Sequence, residues 1–242
     1  VEREGVILVH GGGKEVTKVT EQLGKEPKFV VSPSGIKSRY TDKETSEIFT
    51  MVMSGKINKA IVQMLQKNGI NALGLSGMDG KTIQADRKKK LIIMNEKGRK
   101  QIIDGGYTGK ITTVNSELIK TVLEKGYTPV ISPIAISEEC DFLNVDGDRA
   151  AANVAGQVKT DKVLFVTNVD GLLMDDKLVE NLTLSEAKEL LPKIGFGMEK
   201  KILAATEAIE MGVTEALIAN GQRENPISSA IRHEKCTVIT ND

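Results

Sequence analysis

The chain has 242 residues, 33 basic and 33 acidic, so its formal net charge is zero. At 40% hydrophobic and 27% charged it has the composition of a soluble globular protein large enough for one α/β domain or two lobes. No apolar run reaches membrane-spanning length, and Val1-Glu2-Arg3-Glu4 lacks a signal-peptide core, so no membrane association and no secretion are expected. Two cysteines, Cys140 and Cys236, have no metal-ligand spacing and read as buried small hydrophobes in a reducing cytoplasm.

In chain order, Val6-Ile7-Leu8-Val9 predicts a buried strand. Gly11-Gly12-Gly13 then turns into a helix over 14–23, with apolar positions at Val16, Val19 and Leu23. Glycines at a strand-to-helix turn let backbone N–H groups approach an anion, although a tight turn alone would use them too. Phe29-Val30-Val31 predicts a short strand, and residues 34–40 a loop. Thr41-Asp42-Lys43-Glu44 matches a capping box with Thr41 at the cap. The helical pattern behind it has two apolar stripes with Gly55 between them, which predicts a bent helix or two in succession, closed at Asn68-Gly69.

Ala72 to Leu75 predicts a strand. Short segments over 82–85, 91–94 and 101–103 follow, the last two joined at Glu96-Lys97-Gly98, as expected of an antiparallel ribbon. From Lys81 to Lys100 there are eight basic residues against Asp86 and Glu96. Such a cluster is either a solvated face or a surface that steers an acidic partner. Without interleaved aromatics or net positive charge it does not suggest nucleic acid. A helix over 114–123, a strand at Val130-Ile131 ended by Pro133, and an alanine-rich helix over 148–155 come next. The strand 163–166 runs into Thr167-Asn168-Val169-Asp170-Gly171. Helices over 184–191 and 198–211, strands at 216–218 and 237–239, and a helix over 226–231 complete the pattern. Apolar strands alternating with helices predict an α/β protein, an αβα sandwich with a mostly parallel central sheet.

The common nucleotide-binding fingerprints, zinc clusters and serine elbows are absent, and His10 and His233 read as structural. Three polar clusters remain. In Ser38-Arg39-Tyr40-Thr41-Asp42, Arg39 could clamp a carboxylate or be a surface arginine near a cap. In Asn144-Val145-Asp146-Gly147-Asp148-Arg149, Asp148 could cap the helix or organise lysines; the calcium-loop pattern it begins is not completed. In Gly195-Phe196-Gly197-Met198-Glu199-Lys200-Lys201, lysines oppose a helix macrodipole, which a nearby anion would explain.

Taken in order, His10-Gly11-Gly12-Gly13, Arg39-Tyr40-Thr41-Asp42, Asn144 through Asp148, and Gly197-Met198-Glu199-Lys200-Lys201 resemble the H-G-G-G, R-x-T-D, N-x-x-x-D and G-M-x-x-K motifs of the amino acid kinase family, in its acetylglutamate kinase branch. Ser38 to Asp42 and Gly106-Tyr107-Thr108-Gly109 look more like the members that act on 2-aminoadipate or glutamate attached to a small acidic amino-group carrier protein. The resemblance implies ATP-dependent phosphorylation of a side-chain carboxylate, with Mg²⁺ accompanying ATP. It makes Gly12, Gly13, Lys201 and Asp148 catalytic, and Arg39 and Asn144 substrate-binding. Gly11, Thr167, Asn168, Asp170 and Gly171 would be nucleotide-binding, and Lys88, Lys89 and Lys90 would dock the carrier. It further implies a substrate lobe over 1–159, a nucleotide lobe over 160–242 and a homodimer, in lysine or arginine biosynthesis. The family opens on a strand carrying K-x-G-G that these 242 residues do not contain; either the sequence is an N-terminally shortened form or the protein lacks that strand and its lysine. A kinase for free N-acetylglutamate and an inactive nucleotide-binding module are the competing expectations.

Overall fold

The computed structural model describes residues 5–195 and 197–242. The sequence readings at residues 1–4 and at Phe196 lie outside them. The chain divides within one helix, into a compact unit that ends at Ala150 and a second from Ala151 to Asp242.

In chain order the first unit contains β1 (Leu8–Val9), α1 (Gly13–Gln22), β2 (Phe29–Val31), β3 (Lys37–Arg39), α2 (Lys43–Thr50), a π-helical segment Met51–Ile57, α3 (Asn58–Lys67), β4 (Ala72–Ser76), β5 (Ile83–Arg87), β6 (Lys90–Met94), β7 (Lys100–Asp104), β8 (Gly109–Val114), α4 (Ser116–Glu124), β9 (Thr128–Ser132), β10 (Ile134–Ile136), β11 (Phe142–Asn144) and the start of α5 (Gly147–Val158). Strands β1, β9 and β4 form a parallel sheet in that order. Strands β11, β10, β5 and β8 form a second sheet in which β10 and β5 are parallel. Val130, Ile131, Ile134, Ile83 and Ile119 are fully buried around these sheets, each contributing roughly 2 kcal/mol of apolar burial.

The second unit continues with β12 (Lys162–Thr167), β13 (Leu173–Met174), β14 (Lys177–Leu178), β15 (Asn181–Thr183), α6 (Leu184–Leu190), α7 (Met198–Glu210), β16 (Glu215–Asn220), α8 (Pro226–Ile231) and β17 (Cys236–Thr240). Its sheet order is β12-β16-β17-β15; only the β16–β17 pair is antiparallel. One face carries the apolar side of α7, including Ile202, Ala204, Ala205, Ala208 and Ile209, against Phe165, Ile218 and Ile239. Small alanines let this helix approach closely without a large side-chain entropy cost.

Several sequence readings are corrected. Only Leu8–Val9 of the 6–9 run is a strand, and Val6 is 60% exposed; β1 is an edge strand of its sheet. The cap of α2 is Asp42, whose Oδ1 accepts from the Thr45 N–H at 2.8 Å, because Thr41 is buried and its hydroxyl is engaged elsewhere. Residues 37–39, read as loop, form β3 against β2. The segment ending at Val114 is β8, with Asn115 capping the helix that follows. After Pro133 the chain continues at once in β10. Asp146, not Asp148, caps α5: its Oδ1 accepts from the N–H groups of Asp148 and Arg149 at 3.0 and 3.2 Å. Cys140 is exposed, whereas Cys236 is buried as expected. The interruption at Gly55 is a π-helical turn joining α2 to α3. It gives the two apolar stripes different orientations without breaking the helix, a device often found beside functional sites.

Candidate active site

The glycine turn is built from below. Val16, Ile48, Phe49, Val52, Met53 and Ile134 form a buried cluster, with Ile57 packed against it. A Cβ on Gly12 would lie 2.1 Å from Ile57 Cδ1 and 3.0 Å from Met53 Sδ. Glycine is therefore needed there for close packing of the turn on the π-helical segment. At Gly11 and Gly13 a Cβ would meet nothing within 4 Å. These two glycines leave open ground over the backbone. Helix α1 starts at Gly13 without a side-chain cap, so its first N–H groups and the positive end of its dipole face that ground. This is the chemistry of an anion site.

His10 lies directly beneath. It is buried, its Nδ1 is 3.0 Å from the Gly11 carbonyl, and its Nε2 is 3.3 Å from Asn58 Nδ2. Donation from Nδ1 to that carbonyl and acceptance at Nε2 from the Asn58 amide satisfy the neutral ring. Burial pushes the imidazole pKa below its usual value. Asn58, 1% exposed, also donates to the Val130 carbonyl at 2.8 Å. It thereby ties α3 to the central strand of the parallel sheet. Sequence reasoning missed this role, since an asparagine inside a helical pattern carries no signal of it.

Arg39 ends β3 opposite Phe29, its guanidinium carbon 5.0 Å from the Phe29 ring centroid. Its Nη2 donates to the Gly13 carbonyl at 2.9 Å and to Thr17 Oγ1 at 2.8 Å. Its Nη1 is buried with no hydrogen-bond partner. One edge of the fork is thus anchored to the glycine helix while the other remains to be satisfied, as a carboxylate would do. Burial lowers the guanidinium pKa, but from so high a value that it stays charged.

Asn144 closes the arrangement. Its Nδ2 donates to Thr41 Oγ1 at 2.9 Å and its N–H to the Tyr107 carbonyl at 2.9 Å. The Tyr107 N–H in turn donates to the Thr41 carbonyl at 2.6 Å. Gly147, opening α5, would place a Cβ 3.8 Å from Gly11 Cα, so the start of the helix bearing Asp148 lies against the glycine turn. Four segments far apart in sequence therefore meet in the first unit: Gly11 to Gly13, Arg39 to Thr41, Gly106 to Tyr107, and Asn144 to Gly147.

Lys88 is half-buried and Lys89 and Lys90 are exposed, at the entry to the β6–β7 ribbon. In the second unit, Thr167 ends β12, and its carbonyl accepts from the Gly221 N–H at 2.9 Å. Asn168 is exposed, and Asp170 Oδ1 accepts from Asn220 Nδ2 at 3.0 Å. A Cβ on Gly171 would lie 2.5 Å from Thr237 Oγ1, so that glycine serves packing of the loop. Lys201 is half-buried in the first turn of α7, after Gly197 at φ 95°. Among the described residues, no group of three or more His, Cys, Asp or Glu is placed to hold a metal ion.

The family model described as "Amino acid kinase family" matches residues 2–220. The chain belongs to the amino acid kinase family. A Nitrosopumilus maritimus (strain SCM1) protein, provisionally named a LysW-aminoadipate/LysW-glutamate kinase, is 80% identical over 241 residues, covering 100% of this chain and 90% of its own. A Sulfolobus acidocaldarius protein named LysW-aminoadipate/LysW-glutamate kinase is 48% identical, over 97% of this chain and 89% of its own. The crystal structure of N-acetylglutamate synthase from Neisseria gonorrhoeae, 21% identical, superposes with a TM-score of 0.79 over 98% of this chain and 52% of its own. That last likeness establishes the mixed α/β fold of the family member.

Proposed function

We propose that this amino acid kinase transfers the γ-phosphoryl group of ATP to the side-chain carboxylate of 2-aminoadipate, and also of glutamate, carried on a small acidic amino-group carrier protein. The product is an acyl phosphate in lysine or arginine biosynthesis. The observation that supports this reading is the meeting of the open glycine turn, the half-satisfied Arg39 fork and Asn144 in one unit, in a chain 80% identical to a relative bearing that name.

In this reading, backbone N–H groups at Gly12 and Gly13 receive the transferring phosphoryl group. Arg39 and Asn144 hold the main-chain end of the acid, and Asp148 organises the lysines. Lys201 neutralises charge on the γ-phosphoryl and bridging oxygens. Gly11 and the loop from Thr167 through Asn168 and Asp170 to Gly171 bind the nucleotide. Lys88, Lys89 and Lys90 dock the carrier, whose acidity they complement. When bound with ATP, Mg²⁺ would supply charge neutralisation on the phosphates. The acceptor carboxylate is ionised at neutral pH, so the reaction needs no general base, in keeping with a buried His10 that is held neutral. Positioning and preorganised charge lower the barrier. The enzyme would work in the cytoplasm as a homodimer, with lobes over 1–159 and 160–242.

The test is hydroxylamine trapping of the acyl phosphate with carrier-linked aminoadipate, carrier-linked glutamate and free N-acetylglutamate as acceptors. Hydroxamate from the carrier-linked acids with little from free N-acetylglutamate is expected. A preference for the free acid overturns the carrier assignment, and ATP binding without hydroxamate overturns the kinase reading. Lys201→Ala should lower kcat about 10²–10³-fold, as removal of one preorganised charge does. A change below tenfold removes Lys201 from its assigned role.

A further inference from the structure

The residues of the Lys81–Lys100 cluster do not all serve the same face. Arg87, at the end of β5, turns away from solvent far enough that its side chain is only 33% exposed. Its guanidinium carbon lies 4.1 Å from the Tyr107 ring centroid, and its Nε donates to the Gly106 carbonyl at 2.7 Å. Stack and hydrogen bond together grip the 106–107 turn from one side. From the other side, Gly106 (φ 58°) sits so close to Thr41 that a Cβ would come within 2.2 Å of the Thr41 carbonyl oxygen. That same carbonyl accepts from the Tyr107 N–H at 2.6 Å. Thr41, fully buried, holds the Asn144 side chain through its hydroxyl, and the Tyr107 carbonyl holds the Asn144 N–H.

The turn is also pinned to the lysines that follow Arg87. The Lys88 N–H donates to the Thr108 carbonyl at 2.9 Å, and the Gly105 N–H donates to the Lys89 carbonyl at 3.1 Å. Gly105 packs on that backbone with no room for a side chain. A continuous set of short contacts therefore runs from Arg87 and the base of the basic ribbon, through residues 105–108, to Thr41 and Asn144.

We infer that Arg87 is a positioning residue: by clamping the Gly106-Tyr107 turn it fixes the Asn144 side chain for the acceptor, and it links the ribbon to that side chain. This rests on the reading above, in which Asn144 holds the acceptor. The chemistry requires arginine specifically. A lysine would keep the positive charge but lose the planar stack on Tyr107 and the fixed Nε–H aimed at the Gly106 carbonyl.

Steady-state kinetics on the full chain with carrier-linked aminoadipate tests this. Arg87→Lys should raise the acceptor KM about tenfold, the scale of one lost partly desolvated cation–π contact, with the ATP KM unchanged. The loss should be the same at low and high salt, because the net charge is unchanged. Tyr107→Leu, which removes the ring from the other partner, should give the same pattern and carries the test should Arg87→Lys fold poorly. In an Asn144→Ala background, Arg87→Lys should add less than a twofold effect, since the group it positions is gone. A full tenfold effect of Arg87→Lys in that background overturns the inference, as does a loss that disappears at high salt or an acceptor KM that does not move. Failure of the underlying reading would show differently: Asn144→Ala alone would leave the acceptor KM untouched.

Discussion

Among the glycines, two kinds of necessity separate at the level of single residues. Gly106 has φ 58° and a Cβ position 2.2 Å from a backbone oxygen that cannot move aside. Gly106→Ala should destabilise the protein by about 2–3 kcal/mol through clash and backbone strain, seen as a lower urea midpoint. Gly13 has open space around its Cβ position. Gly13→Ala should leave the unfolding free energy from urea titration within about 1 kcal/mol of wild type, while phosphoryl transfer falls at least about tenfold, because the methyl occupies the ground over the helix terminus where an anion would approach. Asn58→Ala should cost about 2–3 kcal/mol, since it strips a hydrogen-bond donor from the buried Val130 carbonyl and from His10. The three glycines of the turn look equivalent in sequence. Only the atoms around each one distinguish Gly12, required for packing on Ile57, from Gly11 and Gly13, which packing leaves open.

At the level of elements, the turn between β1 and α1, the helix start at Met198, and the β6–β7 hairpin were legible from local chemistry, whereas the cap of α2 fell one residue later than the pattern placed it. The hairpin carries its turn at Gly98, φ 68°, and its antiparallel register runs from Lys90 opposite Asp104 to Met94 opposite Lys100. The short strands β3, β10 and β11 were not legible: unlike the apolar run of β2, Lys37-Ser38-Arg39 is polar throughout, and β10 and β11 lie beside Pro133 and Asp141, where three residues carry too little periodicity to mark them. The three lysines at the entry to the ribbon make their own prediction. Replacing Lys88, Lys89 and Lys90 with glutamine should raise the KM for carrier-linked substrate, with the difference from wild type vanishing at high salt, and leave the ATP KM unchanged. Steering by charge is screened by ions, whereas a packing change is not. Unchanged carrier kinetics at low salt would refute docking at these lysines.

For the whole molecule, stability should fall in two stages on acidification. Burial holds the His10 pKa below its usual 6.5, so the folded state resists a proton that the unfolded chain accepts. Its contribution is complete above about pH 6.5 and is lost as the pH falls from there through the folded value. Glu15, beside the Lys56 ammonium, and Glu215, held chiefly by Lys162 and also by His233, have carboxyl pKa values below the usual 4.5. Their contribution is present above pH 4.5 and is lost as the pH falls through their folded values. A melting temperature that is flat above about pH 6.5, declines gently below it and drops steeply below pH 4.5 is expected. His10→Gln should remove the gentle stage and Glu215→Gln should weaken the steep one. A melting temperature that rises on acidification from pH 7 to pH 5 would contradict the neutral, buried His10.

The sequence by itself determined the α/β class, the order of the main helices and strands, the positions of the four polar motifs and the family they resemble. These follow from local periodicity, glycine placement and residue chemistry at fixed spacing. Only the tertiary structure decided what those motifs do to one another. That Arg39 spends one edge of its fork on the Gly13 carbonyl, that Thr41 serves Asn144 rather than capping its own helix, and that Arg87 grips the Gly106-Tyr107 turn are all contacts between residues 19 to 103 positions apart. No local pattern encodes such pairs. They exist because two sheets and the helices packed on them bring those segments within hydrogen-bonding distance, where most buried polar groups find a partner.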